Sequence, residues 1–259
     1  MKLKNSDDIS STDKEYCKSC IVEEQFINME ASQKIDDANK FFNTATIDMP
    51  KINLEYKNKP VYDFVKRFFD ILLSGFALVV LSPLFLLTIF IIKIQDGGKV
   101  FFVQKRVGRN GKKFNMFKFR SMRPDAEEEI VTLLDKNEAT GPMFKIKNDP
   151  RITKFGKVIR KTSIDELPQL FNIFRGSMSI VGPRPALPRE ANLYREDQKY
   201  RFLVKPGLTC IWQVSGRSNI SFEQQVAMDK EYIRRRNLLL DVVLIFKTIP
   251  AVVRHDGAV

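Results

Sequence analysis

ILLSGFALVVLSPLFLLTIFII, residues Ile71 to Ile92, is the stretch on which the fold turns: 22 consecutive residues without a charge. As one helix it would be about 33 Å long, enough to cross the hydrocarbon core of a bilayer. It begins too far into the chain to be a secretory signal peptide. Two features complicate a simple crossing. Ser82-Pro83 sits at its centre, where proline removes a backbone donor and clashes with the Val79 carbonyl. Cations flank both ends, Lys66 and Arg67 before and Lys93 and Lys99 after, so both flanks favour the cytoplasm. A helix–break–helix hairpin satisfies both flanks; a Pro-kinked single span fits the same residues. The freed Val79 carbonyl needs a partner, and the Ser82 hydroxyl is a candidate.

The rest of the composition narrows the chemistry. Among 259 residues there is one histidine, His255, close to the end of the sequence. Ser-His-Asp triads, imidazole zinc sites and a histidine general base in the core are thereby removed. Three cysteines make no disulfide framework and suit a reducing compartment. Carboxylates, Lys, Arg and hydroxyls are left to do the work. Charge is unevenly placed: residues 1–58 hold eight Lys and no Arg against eleven Asp and Glu. The chain's net +12 therefore becomes about +15 from residue 59 onward. A basic body binds something anionic, whether nucleic acid, lipid headgroups or phosphorylated substrates.

Three regions follow. Residues 1–58 read as a polar, acidic, mostly flexible extension; its Cys17 and Cys20 have CxxC spacing but lack a second pair. Residues 59–94 form the membrane element and 95–259 the cytoplasmic domain. Within the latter, Lys99–Gln104 and Lys113–Arg120 read as strands around the hairpin signal Gly108-Arg109-Asn110-Gly111. Residues 125–135 read as an acidic helix, Gly141–Asp149 as loop, Arg151–Arg160 as a basic helix and Ile164–Phe174 as a second short one. A Gly/Pro-rich stretch from Gly176 to Pro188 precedes a helix expected over Arg189–Phe202. Lys205–Ser218 is loop or strand, and helices over Ser221–Arg236 and Leu238–Arg254 follow. The last is apolar almost all round, and either lies in the membrane interface or packs under the body. The class is α+β, mostly helical, with a re-entrant element, a β-hairpin and interfacial amphipathic helices.

Ser163-Ile164-Asp165-Glu166-Leu167-Pro168-Gln169-Leu170-Phe171 holds the chemistry. Leu167, Leu170, Phe171 and Phe174 follow helical spacing. Two caps compete: Ser163 with Glu166 makes a capping box, whereas Pro168 tolerates only a first turn and favours Asp165. On the plainer account, two acids at a helix start merely complement its dipole. Their neighbours argue for more. Lys118-Phe119-Arg120, Arg160-Lys161 and Gly182-Pro183-Arg184-Pro185 place cations on stiff or irregular backbone, where Arg is well set to fork onto phosphate. Acidic pair, basic motifs and membrane anchor together suggest a site for a metal-bridged diphosphate near lipid. An aspartate can attack phosphorus, and Mg²⁺ bridging carboxylate and substrate oxygens lets one anion approach another.

With these residues in view, the chain resembles the bacterial sugar transferases, the polyprenyl-phosphate phosphoglycosyl transferases with one membrane element. The resemblance runs from about Lys66 onward. It rests on Lys66-Arg67-Phe68-Phe69-Asp70, the Ser82-Pro83 break, Phe117-Lys118-Phe119-Arg120-Ser121-Met122, Ser163 to Leu170, Ser179-Ile180-Val181-Gly182-Pro183-Arg184-Pro185, Lys205-Pro206-Gly207-Leu208-Thr209 and Trp212-Gln213-Val214-Ser215-Gly216-Arg217. Each alone is weak; the ordered set is specific.

The resemblance implies transfer of a sugar 1-phosphate from a UDP-sugar to undecaprenyl phosphate with release of UMP, an opening step of surface polysaccharide or glycoconjugate assembly. It implies Asp165 as covalent nucleophile and metal-binding carboxylate, Glu166 beside it, and Mg²⁺ as cofactor. Lys118, Arg120, Arg160, Arg184 and Arg217 are the substrate- and phosphate-binding candidates. The membrane element becomes re-entrant at the inner membrane, with both ends and the catalytic domain on the cytoplasmic face. Partners are UDP-sugar, undecaprenyl phosphate and membrane lipid; a homo-oligomer stays open. Two departures stand out. Longer members carry additional N-terminal transmembrane helices and a soluble domain, and the WQVSGRS form leans toward the hexose-1-phosphate branch. The rival readings are a catalytically inactive membrane adaptor and, from charge alone, a membrane-tethered nucleic-acid binder. The second lacks a recognisable binding motif or aromatic stacking platform, so nucleic acid is not an expected partner.

Overall fold

Pro60, whose ring presets a helical φ and whose missing N–H is no loss in a first turn, opens helix α1 (Pro60–Val80). Helix α2 (Ser82–Asp96) follows at once, and the pair is bent by 60° at the break. The Ser82 hydroxyl donates to the Val79 carbonyl at 2.8 Å, the partner expected from the sequence. Gly97, at φ 67°, closes α2. The computed structural model describes residues 56–126, 129, 146, 149–216 and 220–253. The extension over 1–58, with Cys17 and Cys20, lies almost wholly outside the described residues. So do most of the 125–135 helix, most of the Gly141–Asp149 loop, and Arg217. Among the described residues no single helix is long and apolar enough to cross a membrane, whereas the bent pair together has the length and composition.

The expected hairpin forms, with its first strand longer than the sequence suggested. Strands β1 (Phe101–Val107) and β2 (Lys113–Phe119) pair antiparallel, from Phe101 opposite Phe119 to Val107 opposite Lys113. Asn110 turns the chain at φ 57°, a left-handed conformation that asparagine tolerates better than most. Helix α3 (Lys154–Lys161) starts later than expected because the Thr153 hydroxyl caps it, accepting from Gly156 N at 2.9 Å. Arg151 is instead buried, forked onto Asp149 at 2.9 and 2.6 Å.

The helix expected over Ile164–Phe174 is two pieces, a 3₁₀ turn at Ile164–Glu166 and helix α4 (Gln169–Arg175). Neither anticipated cap forms. Ser163 is left-handed (φ 57°) and its side chain makes no capping bond, while Pro168 itself occupies the N-cap position of α4. Beyond it, strand β3 (Ser179–Val181) emerges from the Gly/Pro-rich stretch and pairs parallel with β4 (Gly207–Thr209). That pairing needs glycine: a Cβ on Gly207 would lie 2.0 Å from Gly182 N.

Between β3 and β4 runs α5 (Pro188–Asn192), then a 3₁₀ turn at Lys199–Leu203. The continuous helix expected over Arg189–Phe202 is therefore interrupted. The Gln198 side chain accepts from Arg195 N at 2.9 Å, ending one turn and starting the next. Short α6 (Ile211–Ser215), α7 (Phe222–Arg235) and α8 (Leu238–Val253) follow, α7 opened by a Ser221/Gln224 capping box.

The two apolar helices are bonded to the body at both ends. On α1, Arg67 donates to the Ile173 and Phe174 carbonyls at 2.6 and 2.7 Å, satisfying the C-terminal end of α4. Buried Asp70 accepts from Ile180 N at 3.0 Å on the outer edge of β3, and Lys66 pairs with Asp241 of α8 at 2.7 Å. From α2, Phe85 and Ile92 pack on Phe119 and Ile159, and Asp96 at its end receives the Arg120 guanidinium. The opposite faces carry exposed Phe64, Phe76, Leu86 and Phe90, continued on α8 by Leu239, Phe246 and Ile249. That much apolar surface marks an interaction face. Helix α8 combines both readings of its sequence: Leu244 packs with Val181, Tyr232 and Ile233 while its far side stays exposed.

Candidate active site

Strand β2 carries Lys118 beside Phe119, which is only 1% exposed and fixes the strand end in the core. Asn172 of α4 locks the neighbouring helix to that strand. Its Oδ1 accepts from Phe117 N at 3.0 Å and its Nδ2 donates to the Asn115 carbonyl at 2.7 Å. The strained Ser163 then swings the 3₁₀ turn so that Asp165 and Glu166 face Lys118.

Lys118 Nζ donates to Glu166 Oε1 at 2.7 Å and stands 3.9 Å from Asp165 Oδ2. Arg184 reaches to 3.8 Å of the same Glu166 oxygen. The two acids are thereby set apart. Burial pushes the Asp165 carboxyl up to about 6; Lys118 opposes this and the Glu166 charge adds to it. Burial acts on Glu166 in the same direction, but Lys118 and Arg184, with Arg106, outweigh it and hold that carboxyl well below the usual range. Glu166 is the fixed anion that orders the cations. Asp165 is the more basic carboxylate, with less of its charge committed.

Arg184 owes its position to a braced turn. Gly182 N donates to the Thr209 carbonyl at 3.0 Å, Gly207 N to Pro183 at 2.9 Å and Val107 N to Ala186 at 2.9 Å. Arg106 donates to the Pro185 carbonyl at 3.0 Å while its other nitrogens hold Gln104 at 3.1 and 2.6 Å. Burial, then Arg184, lowers the Arg106 guanidinium to about 10, so it stays cationic at neutral pH. Lys118, Glu166 and Arg184 line the cleft together with Arg106, Gln169 and Gln213, and the last three were given no site role from the sequence. For Arg106 the signal was its place at the end of the first strand, two positions before the hairpin turn, where a buried cation reads simply as a strand residue. The cleft holds only about 10 Å³, roughly one water. Charge rather than volume defines it.

Of the residues expected here, Asp165, Glu166, Lys118 and Arg184 come together. Arg160 is close enough to help lower the Asp165 carboxyl. Arg120 is placed elsewhere: β2 ends at Phe119, and the next guanidinium turns to Asp96, with Nη1 at 2.7 Å from Oδ2, and to the Lys99 carbonyl. Among the described residues no cluster of three or more His, Cys, Asp or Glu could hold a metal alone. Mg²⁺ needs less, one or two carboxylates plus substrate phosphate oxygens, and the Asp165 carboxylate, buried 3.9 Å from the Lys118 ammonium, fits that donor set.

Comparison with known proteins bears on this arrangement. Residues 61–255 match the family model for bacterial sugar transferases. The chain is 43% identical over 204 residues to the exopolysaccharide production protein ExoY of Rhizobium meliloti, covering 77% of this chain and 90% of that protein. It is 44% identical over 199 residues to the undecaprenyl-phosphate galactose phosphotransferase of Salmonella typhimurium, covering 75% of this chain but 42% of that longer protein. Against the UDP-N-acetylgalactosamine-undecaprenyl-phosphate N-acetylgalactosaminephosphotransferase of Aeromonas hydrophila it is 38% identical over 209 residues, covering 77% and 46%.

Proposed function

The chain belongs to the bacterial sugar transferase family, and from that premise we propose that it transfers a sugar 1-phosphate from a UDP-sugar to undecaprenyl phosphate. The observation that carries this reading is the division of labour between Glu166, ion-paired at 2.7 Å, and Asp165, buried and left basic beside the same cations. Asp165 attacks the sugar-bearing phosphorus, a P–O bond breaks and UMP leaves with its electrons. An oxygen of polyprenyl phosphate then attacks the phosphorus of the phosphosugar–aspartyl intermediate, and the Asp165 carboxylate is released. Lys118 and Arg184 hold the diphosphate oxygens and meet the charge that develops on them. Mg²⁺, when bound by Asp165, supplies further neutralisation of the incoming diphosphate.

The apolar helix pair enters and leaves the membrane on the cytoplasmic face. The support is mechanical: both limbs are bonded to one body, through Asp70 and Arg67 on α1 and through Asp96 on α2. The named activities of the Salmonella and Aeromonas relatives support a lipid-carrier acceptor. The name of the Rhizobium relative supports a role in exopolysaccharide assembly.

The test is to incubate the full chain with a UDP-sugar and Mg²⁺ but no lipid acceptor, then map adducts by mass spectrometry. A phosphosugar mass on the peptide holding Asp165 is expected. Its absence, with turnover intact in Asp165→Asn, removes the nucleophile assignment. Running UDP-glucose, UDP-galactose and UDP-N-acetyl sugars in parallel identifies the donor by UMP release. No UMP from any of them would favour the inactive adaptor.

A further inference from the structure

A larger cavity, about 320 Å³, lies where the start of α1 meets β3, the entry to β4 and the end of α7. We propose that it is a second anion site, built to take the phosphate group of a phosphate ester and separate from the Asp165 cleft. The division between the two is local: Gly207 and Leu208 line the catalytic cleft, whereas Lys205 lines this one.

The cavity wall leaves several hydrogen-bond donors unmatched. Ser179 is fully buried and its hydroxyl has no hydrogen-bond partner. The Tyr56 hydroxyl and Arg236 Nε are likewise buried atoms without a hydrogen-bond partner, the latter 4.0 Å from Asp63 Oδ1. Lys205 and Arg109 add two cations that make no hydrogen bond or ion pair among the described residues. Each of these five groups can donate a hydrogen bond. A buried donor without an acceptor is destabilising, so a wall collecting several of them suits an acceptor-rich, anionic ligand. Burial and then the Arg67 charge depress the Lys205 ammonium, consistent with a crowded positive wall.

The remaining charges of the wall are already engaged. Lys66 is held by Asp241, Arg67 by the two α4 carbonyls, and Asp70 by Ile180 N. Asp63 is held more loosely, its Oδ1 making a 4.0 Å ion pair with Arg236 Nε. The volume is in the range of small-molecule sites and exceeds what a bare ion fills. Exposed Phe64 forms an apolar lip, so an ester carrying an organic group is favoured over inorganic phosphate. Two sources present that chemistry, a glycerophospholipid headgroup and a free phosphate ester.

Acetylation of Lys205 by acetic anhydride, quantified by mass spectrometry on the full chain in neutral detergent, reads the site directly. The probes are glycerol 3-phosphate and dihexanoyl phosphatidylglycerol. We expect at least one probe to slow Lys205 acetylation about fivefold or more. The half-protecting concentration should rise about tenfold in Arg109→Gln, on the exposed hairpin turn, and in Ser179→Ala. Protection by the lipid alone assigns a headgroup; protection by glycerol 3-phosphate assigns a free ester. Unchanged reactivity at saturating levels of both probes overturns the proposal, as does protection that neither substitution weakens. Such a failure leaves the transferase reading intact, because UMP release and the Asp165 adduct are measured independently of Lys205.

Discussion

Replacing Asp165 by asparagine should inactivate the enzyme and stabilise the protein. The native carboxyl sits at about 6 against a usual 3.8, because folding buries it. A rise of that size corresponds to about 3 kcal/mol of folding free energy. The sign follows from which state loses its proton first. As pH rises from about 4, the unfolded chain ionises Asp165 while the folded chain still holds the proton, so folding loses stability until about pH 6. Above that the deficit is constant. Asparagine does not titrate and escapes the loss, although desolvating its amide offsets part of the gain. At pH 7.5 the variant should therefore unfold up to about 3 kcal/mol later than wild type, on the order of 5–10 °C for a body of this size. At pH 4 the difference should vanish. Trp212 fluorescence during denaturation of the detergent-solubilised chain measures it. UMP release should fall by about a thousandfold or more, the scale expected when a covalent nucleophile is lost. A variant no more stable than wild type at pH 7.5, or a gain that does not shrink on acidification, would refute the account of this site as strained by burial.

Asn172→Ala strips partners from Phe117 N and the Asn115 carbonyl at once; a destabilisation of about 2–4 kcal/mol is expected in denaturant titration. Pro83→Ala restores a backbone donor at the bend and should reduce the 60° angle. Cysteines introduced near residues 58 and 98 would then lose their shared accessibility to a membrane-impermeant thiol reagent in inside-out vesicles, whose cytoplasmic face is outermost. Chelation of Mg²⁺ should abolish adduct formation on Asp165 without altering the circular dichroism, the outcome expected of a metal held by substrate as much as by protein.

The parts of this molecule that depend on local chemistry were legible before any coordinates. The Ser82 hydroxyl finding the Val79 carbonyl follows from what proline does to its own helix. The hairpin followed from alternating side chains around an Asn-Gly turn. What sequence misplaced depended on distant partners. The Ser163–Leu170 stretch looked like a capped helix because capping rules are local, whereas the real geometry is a left-handed serine and a 3₁₀ turn held by a helix that Asn172 pins to β2. The β3–β4 pair was invisible because three-residue parallel strands carry no periodicity, and their contact is set by two glycines 25 positions apart. At the site, Lys118 and Arg184 were found through their motifs. Arg120 sat in the same motif and went elsewhere, because one residue beyond a strand end changes which neighbour a side chain meets. Arg106 acts through the Pro185 carbonyl, a link between residues 79 positions apart that spacing does not reveal.

The Arg67 and Asp70 bonds have an evolutionary and practical corollary. Excising the greasy hairpin to obtain a water-loving catalyst would uncap one helix, unzip the rim of a strand and leave two carbonyls and an amide orphaned. The anchor is thus a structural organ of the enzyme, so lineages recombining such proteins would be expected to inherit hairpin and catalyst as one heritable block.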